Sequence, residues 1–339
     1  MGDLAIGPAR GDKGLTNPGT AAVIRTVTGD IAGLAGRILA HEHLQIDLSS
    51  QKGPAVRLGA AEEDAVVDDL RHAGEFGLTG ITDLSAPGWG RDPPALRRIS
   101  ERSGIAVVCA AGFYWDPFPA IAISGTVEAL RDVMIAEVEA GVGDTGIRCG
   151  VIKVGTHRGA PDAVAERMFA AAAGAARATG APVITHTSSP DQAAWHLRVL
   201  DGAGMDLSRV VISHMGAARD VADLIEVARS GAFIGIDKVG FPKGPTNEQL
   251  ADLVRDACAR GLERQIILSS DIARRTMLRR YGGRGYATVL ADFVPMLRAR
   301  GIPLGQIDTM LHDNPLRLLT LSEQQPVQRP AEVPAGTPA

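Results

Sequence analysis

Two histidines sit two residues apart at the end of an apolar run in "GRILAHEHLQID" (36–47). On an extended strand, residues i and i+2 point to the same side, so His41 and His43 present two imidazoles to one place. Later apolar runs end in the same chemical type: His186 in "PVITHT" (182–187), His214 in "RVVISH" (209–214) and Asp271 in "QIILSSD" (265–271). Four imidazoles and a carboxylate suit a borderline divalent cation such as Zn²⁺. Five nitrogen and oxygen donors exceed what one tetrahedral catalytic ion needs, so the set points to two ions. A single strand-end histidine is more often an ordinary hydrogen-bonded residue; recurrence over four separate runs favours a metal. Lys153, in "GVIKVG" (150–155), is the odd member. An ammonium beside bound cations would be repelled and desolvated, and both effects lower its pKa. A neutral lysine amine can add CO₂ to give a carbamate, an anionic oxygen ligand able to bridge two ions.

The elements that must position these residues alternate along the chain. Apolar runs at 37–41, 80–84, 105–111, 150–155, 182–187, 209–214, 232–237 and 265–271 read as strands. Helical periodicity fills the intervals near 61–77, 93–103, 125–140, 162–179, 190–203, 217–230, 246–261 and 287–300. Strands separated by helices must pair in parallel, because each is reached by a crossover. Eight such units predict a single-domain α/β fold, a (β/α)₈ TIM barrel over 21–322. A flexible N-terminal segment (1–20) and a Pro-rich C-terminal tail (323–339) flank it. No Gly-rich phosphate loop follows the first strand, which argues against an open dinucleotide-binding sheet. Chemistry in such barrels collects at the C-terminal ends of the strands, where His41, His43, His186, His214 and Asp271 fall. Asp83 and Asp237, also at strand ends, read as residues that orient neighbours or satisfy buried backbone.

Composition excludes several classes. Of 339 residues, 45% are hydrophobic, enough for a large core, and a net charge of −4 disfavours nucleic acid or an anionic membrane as partner. No apolar stretch approaches a transmembrane span. "MGDLAIGPARGDKG" lacks the apolar segment of a secretory signal, so the expected location is the cytoplasm. Cys109, Cys149 and Cys258 are an odd number and read as reduced structural thiols. His72, His196 and His312 read as surface or packing residues, and His157 as a candidate for the barrel mouth. Trp89, Phe113, Trp115 and Phe118 concentrate near strands 2 and 3 in a chain only 4% aromatic, as a pocket wall, a loop packing or an interface.

The motifs together resemble the phosphotriesterase family of the amidohydrolase superfamily, its phosphotriesterase-related proteins and lactonases in particular. The resemblance runs over about 22–320: "GRILAHEHL", "GWGRD" (88–92), "VIKVGT" (151–156), "ITHTS" (184–188), "ISHMG" (212–216), "LSSDIARR" (268–275), "YGGRGY" (281–286) and "DNPLRLL" (313–319). It implies a binuclear centre, with one ion on His41, His43 and Asp271 and the other on His186 and His214. A carboxylated Lys153 (N6-carboxylysine) and a hydroxide would bridge them. Zinc is the first expectation for the metal, with cobalt, manganese or iron as alternatives. Paired cations about 3.5–4 Å apart generate hydroxide near neutrality and polarise the substrate oxygen, and Asp271 would take the proton.

The same resemblance implies the outer contacts. Tyr114 falls where lactonase members carry a tyrosine over the substrate oxygen. Lys238 stands where the family's triesterases use histidine, which weakens the case for efficient phosphotriester hydrolysis. Lys238, Lys243, Arg274 and Arg275 on loops 7 and 8 form a solvated rim or bind an anionic phosphate, carboxylate or sulfonate. Members acting on phosphorylated sugar lactones also carry a tyrosine three residues after the arginine, where this chain has Met277, so that match is partial. The expected activity is hydrolysis of a lactone or carboxylic ester, with promiscuous phosphotriesterase activity. The alternatives are a phosphotriesterase or small-amide hydrolase, or a metal-containing binding protein without catalysis. A homodimer with a small-molecule substrate is the expected assembly.

Overall fold

A computed structural model describes residues 23–53, 56–114, 118–156 and 161–321. The expected tails, together with Trp115 and His157, lie outside the described residues. Eight strands form one parallel sheet in chain order: β1 (Arg37–Glu42), β2 (Leu78–Asp83), β3 (Ala106–Phe113), β4 (Val151–Gly155), β5 (Val183–His186), β6 (Val210–Ile212), β7 (Phe233–Ile236) and β8 (Ile266–Leu268). The strands are mostly apolar because both their faces are covered, one by the barrel interior and one by helices, and most of their polar residues fall toward the C-terminal ends. These are α1 (Glu63–Gly74), α2 (Pro93–Ser103), α3 (Val127–Glu139), α4 (Ala163–Thr179), α5 (Ala193–Gly202), α6 (Val221–Arg229) and α7 (Asn247–Cys258). The result is the expected (β/α)₈ barrel.

Helix boundaries follow local chemistry. The Asp92, Thr126, Asp162 and Asp220 side chains each accept a first-turn backbone N–H, and Thr246 with Gln249 forms a reciprocal capping box. The expected eighth helix is irregular. Residues Thr288–Phe293 are a π-helix leading into α8 (Val294–Ala299), where Pro295 has no N–H to donate to the preceding turn. No helix among the described residues is long and apolar enough to cross a membrane. All three cysteines are buried and free.

Side-chain alternation decides what reaches the interior. Ile38, Val108, Val151, Ile184, Val211, Phe233 and Ile267 fill the lower barrel, and Ile24, Leu318 and Leu319 pack beneath them. With a period of two, Val151 is followed inside by Lys153, Ile184 by His186, and Phe233 by Asp237. β1 breaks this rule. Leu39 pairs with Ile81 but Glu42 pairs with Asp83, so a bulge gives β1 one extra residue. Ile38 and Ala40 belong to the interior cluster, and the bulge then re-aims the chain so that His41 and His43 also turn inward.

The seam between β8 and β1 is closed by bonds outside a regular ladder. His41 N–H donates to Ser269 Oγ at 3.0 Å and Asp271 N–H to the His41 carbonyl at 3.2 Å. The Glu42 carboxylate accepts Ser270 N–H at 2.6 Å and Ile272 N–H at 2.8 Å.

Candidate metal centre

β4 brings Lys153 into the barrel opposite Gly112 of β3. Gly112 has φ +99°, and a Cβ there would lie 2.2 Å from the Lys153 carbonyl, so only glycine allows this approach. The Lys153 side chain is fully buried and Nζ donates to the Thr185 carbonyl at 2.9 Å. Burial pulls its pKa down to about 7. A substantial neutral fraction is therefore present near physiological pH.

The histidines converge from four directions. His43 Nε2 lies 3.3 Å and His41 Nε2 3.6 Å from Asp271 Oδ1. His214 Nε2 lies 2.9 Å from His186 Nδ1. The other ring nitrogens are held by neighbours: His41 Nδ1 by Asp237 Oδ2 (2.8 Å) and Ser213 Oγ (3.0 Å), His214 Nδ1 by Asp237 Oδ1 (2.8 Å), and His43 Nδ1 by Ser85 Oγ (2.8 Å). Carboxylate or hydroxyl support behind a ring, with the opposite nitrogen facing a shared space, is how proteins present imidazole to a metal. Burial keeps three of the rings neutral and able to ligate: His41 is lowered to about 3, His214 is lowered, and His186 lies well below its ordinary value.

The carboxylates divide by what they touch. Burial works against the Asp271 charge, but the His43 hydrogen bond and nearby imidazoles hold it well below the carboxylate range. Asp237 lies on the outer nitrogens of both His41 and His214, so it orients those rings rather than meeting the inner space. Asp83 accepts backbone N–H bonds from Leu44, Gln45 and Ser85 and fixes the turn after His43. Two geometric groups could each hold an ion, His41–His43–Asp271 and His41–His214–Asp237. The placement of Asp237 favours the first as the inner site.

A cavity of about 390 Å³ opens over this cluster, with His43, His186 and Asp271 in its wall. Tyr114 is buried, its ring 5.5 Å from the His186 ring and 5.5 Å from Lys153 Nζ. Burial raises the phenol far above its ordinary pKa, so it stays a hydrogen-bond donor. Lys238, Lys243 and Arg274 line the rim together with Lys52. Lys238 Nζ and Arg274 Cζ flank the Phe241 ring at 5.4 and 5.7 Å. The buried Nε of Arg274 has no hydrogen-bond partner among the described residues.

Arg275 goes elsewhere. One residue further along a 3₁₀ turn (Arg275–Met277), it is exposed and stacks on Tyr281 at 5.8 Å, off the cavity wall. Nor do Trp89, Phe113 or Phe118 line this cavity; Trp89 and Phe113 pack in the core and Phe118 beside Thr156. Phe241 joins Tyr114 as an aromatic residue of the wall, and its only sequence signal is its position between Lys238 and Lys243. Ser85 and Ser213 also went unnoticed, because short hydroxyl residues after strands are common. His72 bonds Glu75 on α1, and His312 bonds Asp313 and the Leu34 carbonyl. His196 is a fully buried packing residue bonded to Thr156.

Comparisons with known proteins agree with this geometry. The phosphotriesterase homology protein of Escherichia coli is 32% identical over 282 residues, covering 83% of this chain and 96% of that protein. The N-acetyltaurine hydrolase of Salmo salar is 33% identical over 273 residues, 76% of this chain and 78% of its own. A lactonase structure from Listeria monocytogenes superposes with a TM-score of 0.83 at 26% identity, covering 89% of this chain and all of that one. The family model for the phosphotriesterase family matches residues 23–319, the whole barrel. Sequence, fold and the inward histidines thus converge, and the chain belongs to the phosphotriesterase family of metal-dependent hydrolases.

Proposed function

We propose that this hydrolase cleaves a lactone or other carboxylic ester bearing an anionic group. One observation carries the reading: a single cavity is lined both by Lys238, Lys243 and Arg274 and by His43, His186 and Asp271. A neutral phosphotriester gains nothing from three cations, whereas an anionic substituent would be oriented by them with its acyl carbon over the cluster. Small amides with an acidic group are the second reading, favoured by the same cations and by the likeness to an N-acetyltaurine hydrolase.

The donor set fits two divalent ions. His41, His43 and Asp271 would hold one and His186 and His214 the other. Lys153 would join them as a carbamate, formed when its neutral amine adds CO₂ and releases a proton. Such ions supply hydroxide near neutrality and polarise a carbonyl oxygen. Asp271, ionised at neutral pH, accepts the proton lost on attack and passes it toward the leaving group. Tyr114 donates a hydrogen bond over the reacting carbonyl, and Lys238, Lys243 and Arg274 bind the distal anion.

Kinetics on matched lactones with and without a phosphate or carboxylate substituent test this. Lys238→Ala and Arg274→Ala should each raise KM for the anionic lactone about tenfold or more, the worth of one charge-assisted bond, with kcat within about threefold. Equal KM changes for both lactones would contradict the proposed anion site.

A further inference from the structure

Two non-glycine residues in the described chain lie in the left-handed region, His214 (φ 63°) and Asp271 (φ 52°), and both are candidate ligands. That conformation is disfavoured for a residue with a Cβ, and it persists where the surroundings over-determine it. At His214 the determinant is Asp237 at the end of the neighbouring strand, whose carboxylate accepts the His214 N–H at 2.9 and 3.1 Å. Asp271 has a counterpart across the seam. Glu42, fully buried, accepts the N–H on each side of Asp271, from Ser270 at 2.6 Å and Ile272 at 2.8 Å. Asp271 N–H donates to the His41 carbonyl. Three consecutive amides of one segment are thus captured by two residues of β1.

We propose that Glu42 is the positioning residue of Asp271, fixing its backbone so that the carboxylate meets His41 and His43 before any ion arrives. Glu42 is absent from the cavity wall and acts through Asp271 alone. The β1 bulge makes this possible: it turns the two flanking histidines inward and leaves the carboxylate between them against the seam. "HEH" is then one device, in which the histidines supply two ligands and the glutamate places a third from 229 residues away. The inference rests on reading the His/Asp cluster as a metal centre.

The test is a Co²⁺ titration of apo protein by calorimetry, with the two ions assigned using His43→Ala and His186→Ala. Glu42→Gln keeps the shape but turns one acceptor into an N–H₂ donor facing a backbone N–H. It should weaken the ion on His41, His43 and Asp271 about 10–100-fold, the usual effect of losing an outer support. The ion on His186 and His214 should change less than about threefold. Unchanged binding, or equal weakening of both ions as general destabilisation produces, would overturn the proposal. Amide hydrogen exchange in apo wild-type protein tests it without a variant: the amides of 270–272 should be protected without metal, and unprotected exchange there would overturn it. A wild-type chain that binds no Co²⁺ would count against the metal centre, leaving the exchange result to decide the clamp.

Discussion

Lys153 carries an amine where an apolar barrel would place a valine or isoleucine, and among the described residues no carboxylate forms an ion pair with it. Its Nζ has the Thr185 carbonyl at 2.9 Å and the face of Tyr114 above it. Burial outweighs the nearby Asp271 and Asp237 charges and lowers its pKa to about 7, which would favour the proposed addition of CO₂ to the neutral amine and give an anion that bound cations could use. Lys153→Ala should therefore lose both bound metal and activity. Added short carboxylates such as formate or acetate should restore part of each, because they can occupy the carbamate position, while ammonium should restore neither. Metal analysis with and without carboxylate measures this; full metal content in the unrescued variant would sink the carbamate. Lys153 was legible in the sequence because its side is set by strand parity. Arg275 was not: it differs from Arg274 by one step on a 3₁₀ turn, which sends it to Tyr281, and no periodicity reports such a step.

Elements were legible to the extent that they repeat. All eight strands and their helices were visible as alternating apolar runs, but the ends of strands 6 and 8 were not. β6 stops at Ile212 and β8 at Leu268, two and three residues before His214 and Asp271, because these two residues take left-handed backbone that cannot extend a ladder. The β1 bulge was equally hidden, since one extra residue changes register without changing composition. A second hidden feature links β4, β5 and α5. Thr156 Oγ1 lies 2.9 Å from His196 Nε2 and 2.7 Å from Gln192 Oε1, and the Gln192 oxygen also accepts Ser188 N–H. Burial lowers His196 from 6.5 to about 3, so it stays neutral in the fold while an unfolded chain protonates it below pH 6.5. Its contribution to stability is therefore intact above pH 6.5 and lost as pH falls from 6.5 toward 3, at up to about 1.4 kcal/mol per pH unit. Denaturant unfolding of the apo protein across that window should show a shallower acid loss in His196→Gln. The same slope in both proteins would mean that His196 does not remain neutral in the fold.

At the scale of the whole molecule, the barrel brings together residues from 41 to 271 by closing one sheet on itself. The lower interior is packed with aliphatic side chains, and the polar layer begins where those run out, so stability and chemistry occupy opposite ends. The candidate ligand types stand out in the sequence because metal chemistry restricts which residues can serve. Substrate choice was less legible, because loops 7 and 8 carry their cations on backbone whose direction depends on packing, and Phe241 has no partner in any repeat. Metal-dependent hydrolysis of an anionic acyl substrate can be checked with one panel: chelated and metal-reconstituted wild-type protein assayed on acyl-homoserine lactones, phosphosugar lactones, acidic N-acyl amides and aryl phosphotriesters. No turnover after chelation, recovery on adding metal, and the highest kcat/KM on an anionic lactone are expected. Turnover that survives chelation, a preference for neutral phosphotriesters, or no turnover of any substrate by the metal-loaded protein would contradict the proposed hydrolysis.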